Sequence, residues 1–412
     1  MTTPTDRDRA ARPYDIVLFG ATGFTGRLVA RELAKEPIRW ALAGRNRPKL
    51  EALRDALARE WPECAALPIL VADSQNEGQL AEVAKSTRVV CTTVGPYDLL
   101  GEPLVAACAE HGTDYCDLTG EVPFMRRTID RYHDLAVARG ARIVHCCGFD
   151  SIPSDLGTFV LQREAQNRFG QPATRVRFTM KKVRGGFSGG TAASMVHLVD
   201  ALKDPALRKI VGHAYALNPE GERKGPDRGD PLKPERDRAT GRWLGPFLMG
   251  PVNTRVVRRS HALAGFPWGR DFRYTEAMDF GAGARGLARA AGMTVGLTAF
   301  FGAMSIPPLK RLIQSRLPAP GEGPPEALIR DGFYRAELIG EIDPTRVVKI
   351  EAAGTGDPGY GATAKMLSQS ALCLAHDPPS GLLPAGVLTP STAMGEALLS
   401  RLARVGVTFT PT

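Results

Sequence analysis

Glycines stand at positions 20, 23 and 26, in GATGFTG, directly behind the apolar run YDIVLF. Each can do one thing at the end of a strand. Gly20 permits a tight turn, Gly23 lets the backbone approach a ligand with no Cβ in the way, and Gly26 lets the next helix lie close on the strand. Thr22, Phe24 and Thr25 fill the turn between them. The helix opening there, RLVARELAKE, aims free N–H groups and its positive dipole end into the turn, and a pyrophosphate suits that place. An ordinary glycine-rich turn is the alternative, and the flanking strand and helix weigh against it. The second strand, IRWALAG, ends at Gly44 and is followed by Arg45-Asn46-Arg47. Sites for NAD place a carboxylate about 20 residues past the glycines, where it accepts from the ribose 2′-OH. A guanidinium there pairs instead with a 2′-phosphate, so Arg45 predicts NADP(H) rather than NAD(H). A solvated arginine ahead of the next helix is the plainer reading. Asp73, at the end of a third strand, is placed to meet the adenine or to stand solvated in its loop.

Such residues need a scaffold. Up to residue 170, the strand-like runs ALPILVAD, RVVCTTVG, TDYCDLT and ARIVHCC alternate with the helical runs RPKLEALRDALARE, EPLVAACAEHG and RRTIDRYHDLAVARG. Alternating units of this length predict an α/β fold, a Rossmann-type doubly wound parallel sheet with ligands at the carboxyl ends of its strands. Three loops then share the ligand side: GATGFTG, the turn Val94-Gly95-Pro96-Tyr97, and GFDSIPSD at 148–155. Further on the pattern changes. TRVRFTMKKV alternates polar and apolar, and DFRYTEAM, GFYRAELIGEI and TRVVKIEAAG read as more strands. Residues 213–242 read as a long loop, and Thr191 is placed to cap a helix behind Ser188-Gly189-Gly190. YGATAKMLSQSALCLA and STAMGEALLSRLA are helical. This grouping predicts a second, α+β domain whose mixed or antiparallel sheet is covered by helices on one face. The expected boundaries are 1–160 for the nucleotide-binding domain, 161–387 for the second domain, and 388–412 for a C-terminal helix returning to the first.

A chain of 412 residues, 43% hydrophobic and 24% charged, can build two cores. Its net charge of +9 comes without a dense basic run interleaved with aromatics, so nucleic acid is not an expected partner. Attraction to an anionic cofactor or a membrane surface accounts for the charge. The seven cysteines lack metal-ligand spacing and read as reduced, buried thiols, so no metal is expected. The polar start MTTPTDRDRAARP has no apolar signal-peptide core, which predicts a cytoplasmic protein.

The order GATGFTGRLVA, AGR, TTVGPY, YCDLTGE and GFDSIPSDLG resembles the saccharopine dehydrogenase family over nearly the whole chain. GPFLMGPVNTRVVRRS and GDPGYGATAKM are similar, more narrowly, to its trans-acting enoyl reductase branch. The resemblance implies an NADP-type Rossmann domain joined to a sheet-containing second domain. It also implies reduction of a carbon–carbon double bond in a long-chain, polyketide-derived lipid, as in glycolipid biosynthesis. It carries Gly20, Thr22, Gly23, Phe24, Thr25 and Gly26 onto the family's dinucleotide loop, Arg45 onto its AGR turn, and Gly95, Pro96 and Tyr97 onto the turn near the nicotinamide. Enoyl reduction needs a hydride on one carbon and a proton on its neighbour, and only the proton calls for a protein acid, unless water serves. Tyr97, Asp150 and Ser151 are the candidate catalytic residues. Tyr97 alternatively packs on the nicotinamide ring, and Asp150 and Ser151 alternatively cap the helix after Pro153. His145 reads as a core histidine and His197 as a packing or surface residue with a substrate role open. Two other functions stay open. One is a saccharopine or imino-acid reductase, which needs convergent arginines in the second domain. The other is a nonenzymatic NADP(H)-binding protein of a lipid surface. Peripheral contact with the inner face of a membrane, and a homodimer, are compatible expectations.

Residues 290–309, AAGMTVGLTAFFGAMSIPPL, carry no charge, and Lys310, Arg311 and Arg316 follow them. The length is about that of a membrane span, yet the glycines, threonines and Pro-Pro argue against one. Two readings remain. The segment is a buried helix of the second domain, or it is exposed and docks on a membrane, with Met293, Leu297, Phe300, Phe301 and Met304 as its apolar face.

Overall fold

The structure is a computed structural model that describes residues 9–186, 194, 196–197, 199–238, 240–316, 322–378 and 381–412. The expected cap at Thr191 and the glycines before it lie outside the described residues. Six strands open the chain: β1 (Tyr14–Phe19), β2 (Trp40–Gly44), β3 (Ile69–Val71), β4 (Thr87–Thr92), β5 (Asp114–Cys116) and β6 (Arg142–Val144). Then come β7 (Arg175–Arg184), β8 (Glu235–Arg236), β9 (Arg242–Gly245), β10 (Arg273–Ala282), β11 (Phe333–Glu341), β12 (Val347–Thr355), β13 (Gly386–Leu388) and β14 (Val407–Pro411).

The first sheet is parallel throughout, in the order β13-β6-β5-β4-β1-β2-β3. β2 is buried along its whole length and β1 at every residue after Tyr14, as strands covered on both faces must be. Strand order reverses between β1 and β4, and an open α/β sheet leaves a crevice for a ligand at that point. The loops leaving these two strands touch there: a Cβ on Gly20 would lie 2.6 Å from Val94 Cγ2.

The second sheet runs β14-β12-β11-β7-β10-β9-β8. It is mixed, because β7 and β10 pair in parallel while its other pairs are antiparallel. Buried and exposed residues alternate along β11 and β12, so one face meets the core and the other faces solvent. The helix Ile152–Phe169 packs on the buried face. Gly157 and Gly340 make that possible, since Cβ atoms there would sit 3.0 Å from Leu338 Cδ1 and 2.3 Å from Leu161 Cδ2.

Two features depart from the sequence reading. The stretch 213–242 forms β8 and the start of β9, and it also supplies Asp227 and Asp230. These pair at 2.8 and 2.7 Å with Arg258 and Arg255 of the helix Gly250–Leu263. The chain also returns to the first sheet before residue 388. The helix Gly361–His376 already lies against β1, β4 and β5, and β13 extends that sheet beside β6. Nearly every residue from Ala362 to Ala375 is buried, because the helices Phe24–Leu33 and Pro390–Arg404 cover its flanks.

The apolar segment belongs to a helix, Gly283–Met304, of which only Gly286, Ala290 and Met304 are buried. The buried-helix reading therefore fails: β9 and β10 support its first turns and leave most of its surface uncovered.

Candidate functional site

Gly20 leaves β1 at φ +84°, where a side chain would be strained. Its N–H donates to the Ala43 carbonyl at 2.9 Å, and its own carbonyl accepts from the Gly23 N–H at 3.0 Å, which closes the turn. Gly23 then stands at the N-terminus of Phe24–Leu33, where no side chain caps the first turn. Those uncapped N–H groups are what a pyrophosphate requires. Gly26 is pressed onto the turn, since a Cβ there would fall 2.2 Å from the Gly20 carbonyl oxygen. This loop fits a dinucleotide by its shape and its donors. Phe24 closes its outer side, meeting Tyr360 edge-on at 5.2 Å. Tyr360 lies in GDPGYG, so two motifs more than 300 residues apart share one place.

Past β2, Arg45 is exposed, while Arg47 pairs with Glu51 at 3.7 Å on its own helix and Asn46 caps that helix by accepting from the Lys49 N–H. Arg45 thus stays available to a phosphate. Asp73 accepts from the Gln75 N–H at 2.9 Å with one carboxylate oxygen, a local turn bond that also explains an acid at this position. Arg45→Ala is expected to weaken NADPH binding by roughly 1–3 kcal/mol and NADH binding far less. Titration calorimetry with both cofactors checks this, and equal affinities in the unmodified protein would refute it.

Gly95-Pro96-Tyr97 follows β4 beside the glycine loop, and the Thr93 hydroxyl ties the two by donating to the Gly20 carbonyl at 3.1 Å. Tyr97 itself corrects the sequence expectation. Its hydroxyl donates to the Thr92 carbonyl at 3.2 Å, and its ring is buried beside Phe124, with centroids 5.9 Å apart. Burial first, and the charge of Asp117 second, hold its pKa well above the usual phenol value. The hydroxyl is thus engaged by the backbone and the ring is packed in the core. The reason sits in YCDLTGE: Glu121 accepts from the N–H groups of Tyr97 and Asp98 at 3.0 and 2.8 Å and fixes the turn. Asp98 then bonds His197 Nε2 at 2.8 Å and Arg127 at 2.8 Å.

GFDSIPSD leaves β6. Asp150 lies where Gly120 and Gly148 face each other: Cβ atoms on those glycines would stand 3.8 and 3.3 Å from its carboxylate oxygens. Burial, with a smaller push from the charge of Asp117, raises its pKa to about 7. Ser151 is wholly buried; its hydroxyl meets the Asp150 carbonyl at 2.7 Å and Asn253 Oδ1 at 3.1 Å, and it makes no capping bond to the helix it precedes. From Asn253 the polar chain runs on. Its Nδ2 donates to Glu276 at 2.9 Å, and Glu276 accepts from the Tyr274 hydroxyl at 2.8 Å. Burial raises Glu276 to about 7 as well. Apolar side chains flank Asp150. A Cβ on Gly120 would lie 3.7 Å from Val252 and 3.9 Å from Met249, and the Phe149 ring packs on Tyr334 at 4.9 Å and Phe247 at 6.4 Å. His145 is in the core, bonded to Asp117 at 2.7 Å and Thr128 at 2.9 Å.

Sequence reasoning missed Glu121, Asn253 and Glu276. Glu121 had a signal, an acid inside a short motif behind a buried strand. Asn253 and Glu276 had none, because they reach Ser151 only through the packing of the second sheet. The helix Gly250–Leu263 is rich in arginine, yet its arginines are engaged. Arg255 and Arg258 hold Asp230 and Asp227, and Arg259 donates to the Leu217 and Val387 carbonyls.

Residues 16–144 match the saccharopine dehydrogenase NADP-binding domain, which identifies NADP as the cofactor and the chain as an NADP-dependent oxidoreductase. A Mycobacterium tuberculosis relative is 43% identical over 97% of this chain and 98% of its own length. The trans-acting enoyl reductases of Mycobacterium ulcerans and Mycobacterium tuberculosis are 39% and 40% identical, over 98% and 97% of this chain and 99% and 97% of theirs. Among solved structures, apo saccharopine dehydrogenase (L-Glu forming) from Saccharomyces cerevisiae shares the fold, with a TM-score of 0.53 at 12% identity over 97% of this chain and all of its own. A dinucleotide loop on a parallel sheet, a mixed second sheet and near full-length relatives converge on one assignment: the chain belongs to the trans-acting enoyl reductase branch of the saccharopine dehydrogenase family.

Proposed function

We propose that the protein reduces a carbon–carbon double bond conjugated to a carbonyl in a long-chain, polyketide-derived lipid, with Asp150 as the acid. The observation that carries this reading is the Asp150 carboxyl, at the carboxyl end of β6 and raised to about 7, so that near neutral pH it holds a proton it can release. Gly20, Thr22, Gly23, Phe24, Thr25, Gly26 and Arg45 would hold NADPH, which supplies a hydride when bound. The chain's own residues do the rest. Gly120 and Gly148 leave room beside the acid, and the nearby Phe149, Met249 and Val252 favour an apolar substrate. Ser151 and Asn253 hold the Asp150 backbone. The near full-length relatives that are trans-acting enoyl reductases support the enoyl substrate.

A saccharopine-type reaction needs arginines free to meet substrate carboxylates, and those of Gly250–Leu263 are buried and engaged. The reading extends to a division of labour: the first sheet and the helices on it, residues 361–388 included, for the cofactor, and the second sheet for the substrate. It also extends to work at the inner face of a membrane. The test is NADPH oxidation by purified protein with α,β-unsaturated long-chain thioesters, beside wells holding glutamate and aminoadipate semialdehyde. Turnover is expected in the first set only. Turnover in the second set would establish the saccharopine-type reaction, and NADPH binding without any turnover would leave a nonenzymatic protein.

A further inference from the structure

The helix Gly283–Met304 is long and apolar enough, by length and composition, to cross a membrane, yet only 11% of its most apolar 18-residue stretch is buried. An exposed helix on a water-soluble body normally turns polar residues outward. Here Val295 is 68% exposed, and beyond Arg285 and Arg289 near its start the other exposed residues are alanines, glycines, a threonine and Leu287. The next helix, Pro307–Gln314, has no buried residue. It continues the same surface with Ile306, Leu309 and Leu312, the last 56% exposed, at three-residue spacing. Charge follows one rule throughout. Residues 283–316 contain Arg285, Arg289, Lys310, Arg311 and Arg316 and no acidic side chain, so this run alone supplies five of the chain's nine net positive charges. Lys310 is engaged by Asp200, while the four arginines are exposed.

We propose that this face seats the protein on the surface of an anionic phospholipid bilayer. The inference rests on the lipid-substrate reading only for its purpose, since the surface itself is argued from exposure and charge. The topology excludes a span. The helix leaves β10, and the chain comes back as β11, and both strands belong to one sheet with β7 between them. Both ends of the helix must therefore stay on the same side of the membrane, and a single crossing would part them. Its first turns are also held to the sheet, where Ala290 meets Gly245 and Gly286 meets Trp243. A helix tethered at one end, apolar outward and basic at both ends, lies in the headgroup layer. A second copy of the chain fits this face poorly, because a two-fold interface would bring its exposed arginines against each other.

The face differs from the one expected from sequence. Phe300 and Phe301 are half-buried, ring to ring at 5.6 Å, so changes there would disturb packing. Val295 and Leu312 are the informative positions. The test is flotation with phosphatidylglycerol–phosphatidylcholine vesicles and with phosphatidylcholine vesicles alone. The unmodified protein is expected to float with the first and not the second, and added salt should release it. The double variant Val295→Asp, Leu312→Asp is expected to lose about tenfold or more of that binding. Its NADPH affinity and its turnover of a short, soluble enoyl thioester should be unchanged. Equal flotation of the variant, no flotation of the unmodified protein, or equal binding to both vesicles would overturn the proposal. So would a dimer in sedimentation that the variant converts to monomers. Flotation without turnover on any enoyl substrate would overturn the functional reading and leave the docking surface standing.

Discussion

Asp150→Asn lowers turnover of an enoyl substrate by roughly 10²–10⁴-fold and leaves NADPH affinity unchanged. The carboxamide keeps the shape of the acid, but it has no proton to release. The strand before Asp150, β6, is also separated from β1 by β5 and β4, so binding of the pyrophosphate and ribose should not register the change. The pH profile follows from the raised pKa. The acid is competent while protonated, so the rate should hold below about 7 and fall as the carboxyl ionises above it. In the variant that fall should disappear from whatever rate remains. Stability changes in a related way. The folded pKa lies above the unfolded one, so the contribution of Asp150 is fully present below the unfolded value and is lost as pH rises through the folded one. The amide never ionises. The variant should therefore melt like the parent below about pH 4, gain on it steadily between about 4 and about 7, and keep a constant lead at higher pH. Steady-state rates and thermal melts across that range check both statements. A variant as fast as its parent would assign the proton to water.

Gly26→Ala should abolish NADPH binding and also destabilise the protein. Inside an exposed helix, glycine to alanine stabilises by about 0.5–1 kcal/mol. At this position the new methyl would fall 2.2 Å from the Gly20 carbonyl oxygen, and both are backbone-bound, so the turn must move. Overpacking of that kind costs roughly 1–3 kcal/mol or more and reverses the sign. Gly23→Val makes the contrast. A Cβ at Gly23 would stand 3.3 Å from the same oxygen, a contact that a few tenths of an ångström relieve. The fold should survive while the branched side chain occupies the ligand's place. The expected pair of results is a lowered melting temperature with no binding for Gly26→Ala, and an unchanged melting temperature with no binding for Gly23→Val. Normal calorimetric binding in Gly23→Val would mean that another loop holds the cofactor.

Asp150 and Tyr97 show where sequence reasoning stops. Both were nominated for one reason, that their loops leave the carboxyl ends of parallel strands. Loop position is legible because strand–helix alternation dictates which ends carry ligands. Side-chain direction is not. Tyr97 points into the core because Glu121, 24 residues on, holds its backbone from below. Burial raises the pKa of Asp150, and part of its surroundings comes from Met249 and Val252, at the start of the helix Gly250–Leu263, which lie beside Gly120. No spacing within GFDSIPSD contains that helix.

What the sequence determined by itself is therefore local. Three glycines in seven residues specify a strand–turn–helix with uncapped N–H groups. Arg45 stands where NAD sites carry an acid. The switch from alternating units to alternating polarity announces a second sheet. The interactions behind these features span a few residues, so their spacing is written in the chain. The tertiary structure decided everything that depends on neighbours distant in sequence. It turned Tyr97 inward, placed Asp150 beside Gly120 and Gly148, joined Ser151 to Glu276 through Asn253, and engaged the arginines of Gly250–Leu263. It also decided the fate of the apolar helix. Composition counts apolar residues but not what covers them. Only the placement of β10 and β11 in one sheet holds both ends of that helix on one side and leaves its outer face exposed.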